Sequence, residues 1–140
     1  MIHDNLLALT ARAPLTSGLR QGDTFTPYAA LLERIARTAA GLADRGVARG
    51  DVVALLLPNS PDLFVAAHAL FALGAIAMPL SPAATPAERA ALAAKTGLRA
   101  VIAAPAARAA AEALVADVDL AATVFLAPHL PECPASTLPK

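Results

Sequence analysis

The sequence is short of the residues that most often announce chemistry. There is one cysteine, Cys133, in 140 residues. A single thiol closes no internal disulfide and supplies no cysteine-rich zinc site, which points to a free thiol in a reducing, cytoplasmic setting. Tryptophan is absent and aromatic residues make up 4% of the chain. Neither charge sign is in excess: Lys+Arg and Asp+Glu are 11 each, for a formal net charge of +0. That balance removes the electrostatic reason to expect nucleic acid or an anionic membrane surface as a partner. The N-terminus, Met1-Ile2-His3-Asp4-Asn5, lacks a basic segment and carries an acid early, unlike a secretory signal.

What is abundant is apolar. Hydrophobic residues account for 57% and charged residues for only 16%, so a disordered polar chain is excluded. Between Leu63 and Leu80 no residue is charged, about the length needed to cross a bilayer. His68, Gly74 and Pro79 interrupt that stretch, and alanine supplies much of its apolarity. A buried helix running into a buried strand is the expectation, with no membrane span.

Periodicity and punctuation then divide the chain. A short amphipathic helix is expected over 5–13, and a hairpin where Gln21-Gly22-Asp23 joins Leu19-Arg20 to Thr24-Phe25. Thr26 is expected to cap a helix with Pro27 in its first turn. Tyr28, Leu31, Leu32, Ile35, Ala39 and Leu42 recur on one face of that helix, and Gly46 ends it. Residues 52–57 form an apolar run without alternation, as in a strand buried on both faces. Ser60 caps the next expected helix, with Pro61 and Asp62 in its first turn and Gly74 after its end. A second strand is expected over 75–80. Thr85-Pro86-Ala87-Glu88 reads as a capping box opening a helix that ends near Gly97. A third strand over 98–103, an alanine-rich helix from Pro105 to about Val115 and a fourth strand over 122–126 complete the alternation. This order demands parallel right-handed crossovers. The expected fold class is α/β, a three-layer parallel sheet with helices on both faces, occupying residues 1–127. Pro128, Pro131, Pro134 and Pro139 mark 128–140 as an extended linker or tail.

No complete chemical site is visible. Gly46-Val47-Ala48-Arg49-Gly50 precedes a strand, whereas a dinucleotide loop follows a strand and opens a helix. No Walker-type phosphate loop occurs. His3, His68 and His129 lack metal-ligand spacing, and His68, on an otherwise apolar helix, reads first as a satisfied core or interface histidine. Ser17, Ser60, Ser81 and Ser136 lie in turn or capping contexts without a nucleophile elbow. The one loop with binding potential is Pro58-Asn59-Ser60-Pro61. It lies past the carboxyl end of an expected parallel strand, at a helix N-terminus, where ligands of open α/β sheets gather. Asn59 and Ser60 are therefore the candidate substrate-rim residues, against a default turn-and-cap role. No catalytic, cofactor-binding or metal-ligating residue is assigned.

Taken together, Tyr28 to Leu32, the block from Gly46 to Pro61, Ala72-Leu73-Gly74-Ala75, Pro79-Leu80-Ser81-Pro82 and Thr85 to Glu88 resemble the N-terminal subdomain of the AMP-forming acyl-CoA synthetases. The similarity covers roughly residues 25–104. The order and spacing of the pieces carry it, and the block from Gly46 to Pro61 is the strongest part. Two departures stand out: Pro27 intervenes where the family has Thr directly before the Tyr, and Ser81 replaces the common Asn or Asp.

The resemblance implies an ATP-dependent acid–thiol ligase, which uses Mg²⁺ to turn a carboxylate into an acyl-adenylate and then passes the acyl group to CoA or a carrier thiol. It also implies that the phosphate-holding loop, the acid that holds the ribose and a mobile C-terminal Lys lie downstream of this segment. None has a counterpart in the 140 residues. The chain alone is therefore expected to be catalytically incomplete and to bind none of these cofactors by itself. It should rely on the remaining part of the enzyme, or on self-association through apolar surface. Two alternatives remain: a truncated, non-catalytic interaction module with the same fold, and a nucleotide-binding domain with an unfamiliar loop. The missing phosphate loop counts against the second.

Overall fold

In a computed structural model, the described residues are 16–81, 83–117, 123–127 and 130–132, together with Ala8. The helix expected over 5–13 lies, Ala8 apart, outside them, as do Cys133, His3, His129 and Ser136.

The chain first folds back on itself. Strand β1 (Gly18–Gln21) pairs antiparallel with β2 (Thr24–Pro27), with Gln21 opposite Thr24. Gly22 takes φ 58 in the two-residue connection, a left-handed geometry that tight hairpin turns require. Helix α1 (Tyr28–Asp44) follows directly. The expected cap at Thr26 does not form. Thr26 is held in β2 opposite Leu19, and Pro27 occupies the N-cap position without a side-chain cap. The hairpin instead anchors the helix start, because the Tyr28 N–H donates to the Ser17 carbonyl at 3.0 Å. Leu31, Ile35, Thr38, Ala39, Gly41 and Leu42 form the buried stripe of α1, close to the spacing read from the sequence.

The sheet consists of β3 (Val52–Leu56), β4 (Ile76–Pro79), β5 (Leu98–Ala103) and β6 (Thr123–Leu126). All pairings are parallel, in the order β4-β3-β5-β6. Every residue of β3 is buried, as its unbroken apolar run requires. The pleat sends alternate side chains to two separate cores. Val53, Leu55, Ala100, Ile102 and Phe125 pack on the side of α1 and α2 (Pro61–Leu73), against Leu42, Ala66 and Leu70. Val52, Ala54, Leu56, Val101 and Ala103 pack on the other side, against Ala93 of α3 (Pro86–Thr96) and Ala111 and Leu114 of α4 (Arg108–Asp117). A single 3₁₀ turn, Pro105–Ala107, leads into α4.

Chirality explains the layering. The chain leaves β3 through α2 on one face to reach β4. It then moves in the opposite direction, through α3 to β5 and through α4 to β6, on the other face. Right-handed crossovers in opposite directions place their helices on opposite faces. The direction reverses between β3 and β5, so the segments after Leu56 and Ala103 part to opposite sides of the sheet. Such a reversal opens a crevice at the carboxyl ends of the strands.

The segment after β6 adds a strap. Leu130 is buried in the core shared with Leu42. Glu132 lies 3.6 Å from Arg34 and 3.5 Å from Arg37 on α1, and Arg34 also reaches Asp62 at the start of α2, at 3.0 Å. Residues 130–132, within the span read as linker, thus pack across α1.

Candidate functional site

The turn between β3 and α2 sits at the strand reversal, and its polar atoms are held by the chain itself. The Ser60 hydroxyl accepts from the Leu63 N–H at 3.3 Å and donates to the Pro58 carbonyl at 3.0 Å. Ser60 is extended, with φ −161, as an N-cap residue should be. With both its functions engaged, this hydroxyl is not poised as a nucleophile. Asn59 is exposed at the tip, and its carbonyl accepts from Gln21 Nε2 at 3.4 Å, which ties the hairpin to the rim.

Two cavities flank this turn. The first, about 440 Å³, lies between the hairpin and α2. Leu19, Arg20 and Gln21 form one wall; Asn59, Ser60 and Pro61 form the floor; Leu63, Phe64, Ala67 and His68 form the other wall. An aromatic row runs along α2: the His68 ring is 4.3 Å from Phe64 and 5.4 Å from Phe71, and Phe64 is 6.5 Å from Tyr28. Arg20 stacks 5.4 Å above Phe25. Asn59 and Ser60, the two residues singled out in the sequence, are brought together on this cavity. Its hairpin wall was not foreseen, because nothing in linear order joins residues 19–21 to α2.

The second cavity, about 410 Å³, opens on the opposite side of the same turn. Leu56, Leu57 and Pro58 after β3, Leu80 after β4, and Ala104, Ala106 and Ala107 after β5 surround it, with Arg89 of α3 and Ala110 of α4. Arg89 was missed as well. It follows a capping box, a local signal that says nothing of what the helix faces.

The remaining serines that the structure describes serve the backbone. The Ser17 carbonyl anchors α1, and Ser81 Oγ accepts from the Ala83 N–H at 3.1 Å. Among the described residues no group of three or more His, Cys, Asp or Glu could hold a metal ion. Among them, too, no helix is long and apolar enough to cross a membrane. At this rim the geometry can hold an apolar or amphipathic group.

Comparison with known proteins places this architecture. Residues 8–137 match the family described as AMP-binding enzyme. A segment of 69 residues, 49% of this chain, is 45% identical to pyochelin synthase PchD of Pseudomonas aeruginosa (strain UCBPP-PA14) and covers 13% of that protein. A segment of 70 residues is 49% identical to 4-coumarate–CoA ligase-like 3 of Oryza sativa subsp. japonica and covers 12% of it. Among solved structures, the Mycobacterium tuberculosis fatty acyl CoA synthetase shares the fold with a TM-score of 0.83 at 22% identity, over 99% of this chain and 30% of that one. VinN, solved in complex with 3-methylaspartate, superposes with a TM-score of 0.81 at 26% identity, over 93% of this chain and 35% of that one. The N-terminal domain of FACL13 from Mycobacterium tuberculosis gives 0.80 at 24% identity, over 92% and 34%. The chain thus spans well under half the length of each of these proteins.

Proposed function

The chain belongs to the AMP-binding family of adenylate-forming enzymes, as their N-terminal subdomain, and from this we propose that it serves an ATP-dependent acid–thiol ligase of the acyl-CoA synthetase kind. The observation that carries the reading is the family match along residues 8–137. In the proposed reaction a carboxylate oxygen attacks the α-phosphorus of ATP, and the bond to pyrophosphate breaks. The resulting acyl-adenylate is then attacked at its carbonyl carbon by the sulfur of CoA. AMP leaves and the thiol proton passes to solvent.

In this reading the subdomain is scaffold and rim rather than chemistry. The all-parallel sheet fixes the turn after β3, and Ser60 holds that turn to α2, so Asn59 is presented at a defined position beside the hairpin. A preorganised rim of this kind limits what the site loses on closing over a substrate. The phosphate-holding loop and the catalytic Lys are assigned to the part of the family sequence beyond this subdomain, and the 140-residue chain alone is proposed to be inactive. The proposed location is the cytoplasm, where ATP and CoA are both available.

The test is acid-dependent exchange of labelled pyrophosphate into ATP, across a panel of fatty and aryl acids. No exchange is expected from the purified chain, and exchange should appear when a polypeptide carrying the remaining family segments is added or fused. Exchange by the 140 residues alone would refute the division of labour. Failure of the combined polypeptides with every acid would favour a non-catalytic interaction module instead.

A further inference from the structure

We propose that the cleft at the β3–β5 reversal is a binding site for a small amphipathic monoanion, whose carboxylate head meets Arg89 and whose apolar tail lies between α3 and α4. This goes beyond the reading above and does not depend on it, because the cleft lies on the opposite side of the 57–60 turn from Asn59 and Ser60.

Three observations converge on the cleft. Its volume, about 410 Å³, falls in the range of roughly 300–1,000 Å³ typical of small-molecule sites. Its position at the reversal of strand direction is where ligands of open parallel sheets enter. Its walls are mostly apolar: Leu56, Leu80, Ala107 and Ala110 offer no side-chain donor or acceptor, and among the described residues Arg89 is the one charged residue that lines it.

The state of Arg89 decides the ligand's chemistry. The carboxylate nearest to it in sequence, Glu88, is already committed to the capping box, where its Oε2 accepts from the Thr85 N–H at 2.7 Å. The carboxylate of Glu112 on α4 is engaged by Arg108 at 2.9 Å. Among the described residues no acid pairs with the Arg89 guanidinium. This half-buried cation also lines a second, smaller hollow of about 70 Å³ with Ala110 and Leu114, so it stands over the seam between α3 and α4. A planar guanidinium matches a carboxylate through two parallel hydrogen bonds. One cation above an apolar cleft therefore selects one negative head on a hydrocarbon tail. A sugar or a polyphosphate would leave its polar groups unpaired against leucine and alanine.

The experiment uses the isotope-labelled 140-residue chain, titrated with hexanoate, octanoate and octan-1-ol and followed by amide chemical shifts and calorimetry. Octanoate should bind saturably, with shifts centred on Ala104, Ala107 and Ala110. Each methylene added from hexanoate to octanoate should tighten binding about threefold to fourfold. Arg89→Gln should weaken octanoate about tenfold and leave octan-1-ol unchanged, and Ala110→Leu should remove both by filling the cleft. The proposal is overturned if octanoate does not saturate, if the shifts centre instead on Phe64 and Ala67 of the other cavity, or if Arg89→Gln leaves octanoate binding intact. The last criterion holds even should Ala110→Leu fail to fold, because Arg89 is only half-buried and is not part of the core.

Discussion

The α-carbon of Gly41 lies directly beneath the backbone of Pro131, so close that a β-carbon at position 41 would run into the Pro131 carbonyl oxygen. Glycine in a helix interior ordinarily destabilises by roughly 0.5–1 kcal/mol relative to alanine. Here it admits the strap that follows β6. Leu130 is buried on one side of this crossing, and Glu132 meets Arg34 and Arg37 on the other. Gly41→Ala should therefore reverse the usual helix preference. The expected outcome is a loss of about 1–3 kcal/mol, the scale of overpacking, read by urea denaturation. Faster amide exchange at Leu130 should accompany it. A more stable Gly41→Ala protein would show that the strap does not lie across α1 in solution.

Ser60 offers a test of cap against contact. Its hydroxyl satisfies the Leu63 N–H at the start of α2. Replacing such a cap with alanine costs about 1 kcal/mol, whereas glycine costs only a few tenths because water reaches the freed N–H. Ser60→Ala should thus lose about 1 kcal/mol in thermal or chemical denaturation and Ser60→Gly distinctly less. In a reconstituted ligase, both variants should keep their pyrophosphate exchange to within a few fold. A large loss of exchange in a stably folded Ser60→Gly protein would show instead that the hydroxyl touches substrate.

The contrast between these two positions shows what the sequence can carry. Ser60, Pro61 and Asp62 stand next to one another, and a cap is a local device, so it could be read directly. The same holds for Thr85 with Glu88 and for the unbroken apolar strands, whose burial on both faces follows from composition. The Gly41–Pro131 contact joins distant segments, and the mid-helix glycine gave no sign of what would cross it. Thr26 failed as a cap for a related reason: its pairing with Leu19 in the hairpin outcompeted a helix signal that looked adequate by itself. The candidate site divides in the same way. Asn59 and Ser60 were visible as a strand-end turn, while Arg20, Gln21 and Arg89 reach the rim through tertiary packing.

Among the described residues, the buried hydroxyl of Thr38 has no hydrogen-bond partner. Its side chain is 0% exposed on the inner face of α1, and Oγ1 finds neither a carbonyl nor a donor. Leaving such a group unsatisfied costs about 1–3 kcal/mol. Valine keeps the branched shape and removes the oxygen. Thr38→Val should stabilise the chain by about 1 kcal/mol, equivalent to roughly 4 °C in Tm for a domain of this size. Thr38→Ala should destabilise it, because it also removes a packed methyl group. Paired thermal melts decide the matter. A lower Tm for Thr38→Val would mean that the hydroxyl has a partner in solution, such as an ordered water.

The last expectation concerns association. Strand β4 is an edge of the sheet among the described residues, and its first residue, Ile76, is 53% exposed. An edge strand with an exposed β-branched side chain is a template for pairing with another copy, and nature commonly blunts such edges with lysine. Leu92 on α3 adds exposed apolar surface at 46%. The helix that carries His68 and Phe71 is half-buried in its own aromatic row and offers less. Self-association of the isolated chain should therefore run through β4. Sedimentation equilibrium over a wide concentration range should show a reversible dimer. Ile76→Lys should shift it toward monomer by at least tenfold in dissociation constant, while urea stability stays within about 0.5 kcal/mol, as for most surface changes. Ala72→Lys, an exposed change on the His68 helix, should leave the equilibrium unaltered. If Ala72→Lys disrupts the dimer and Ile76→Lys does not, the contact lies on α2; a wild-type chain that stays monomeric at high concentration would remove the edge-pairing argument altogether.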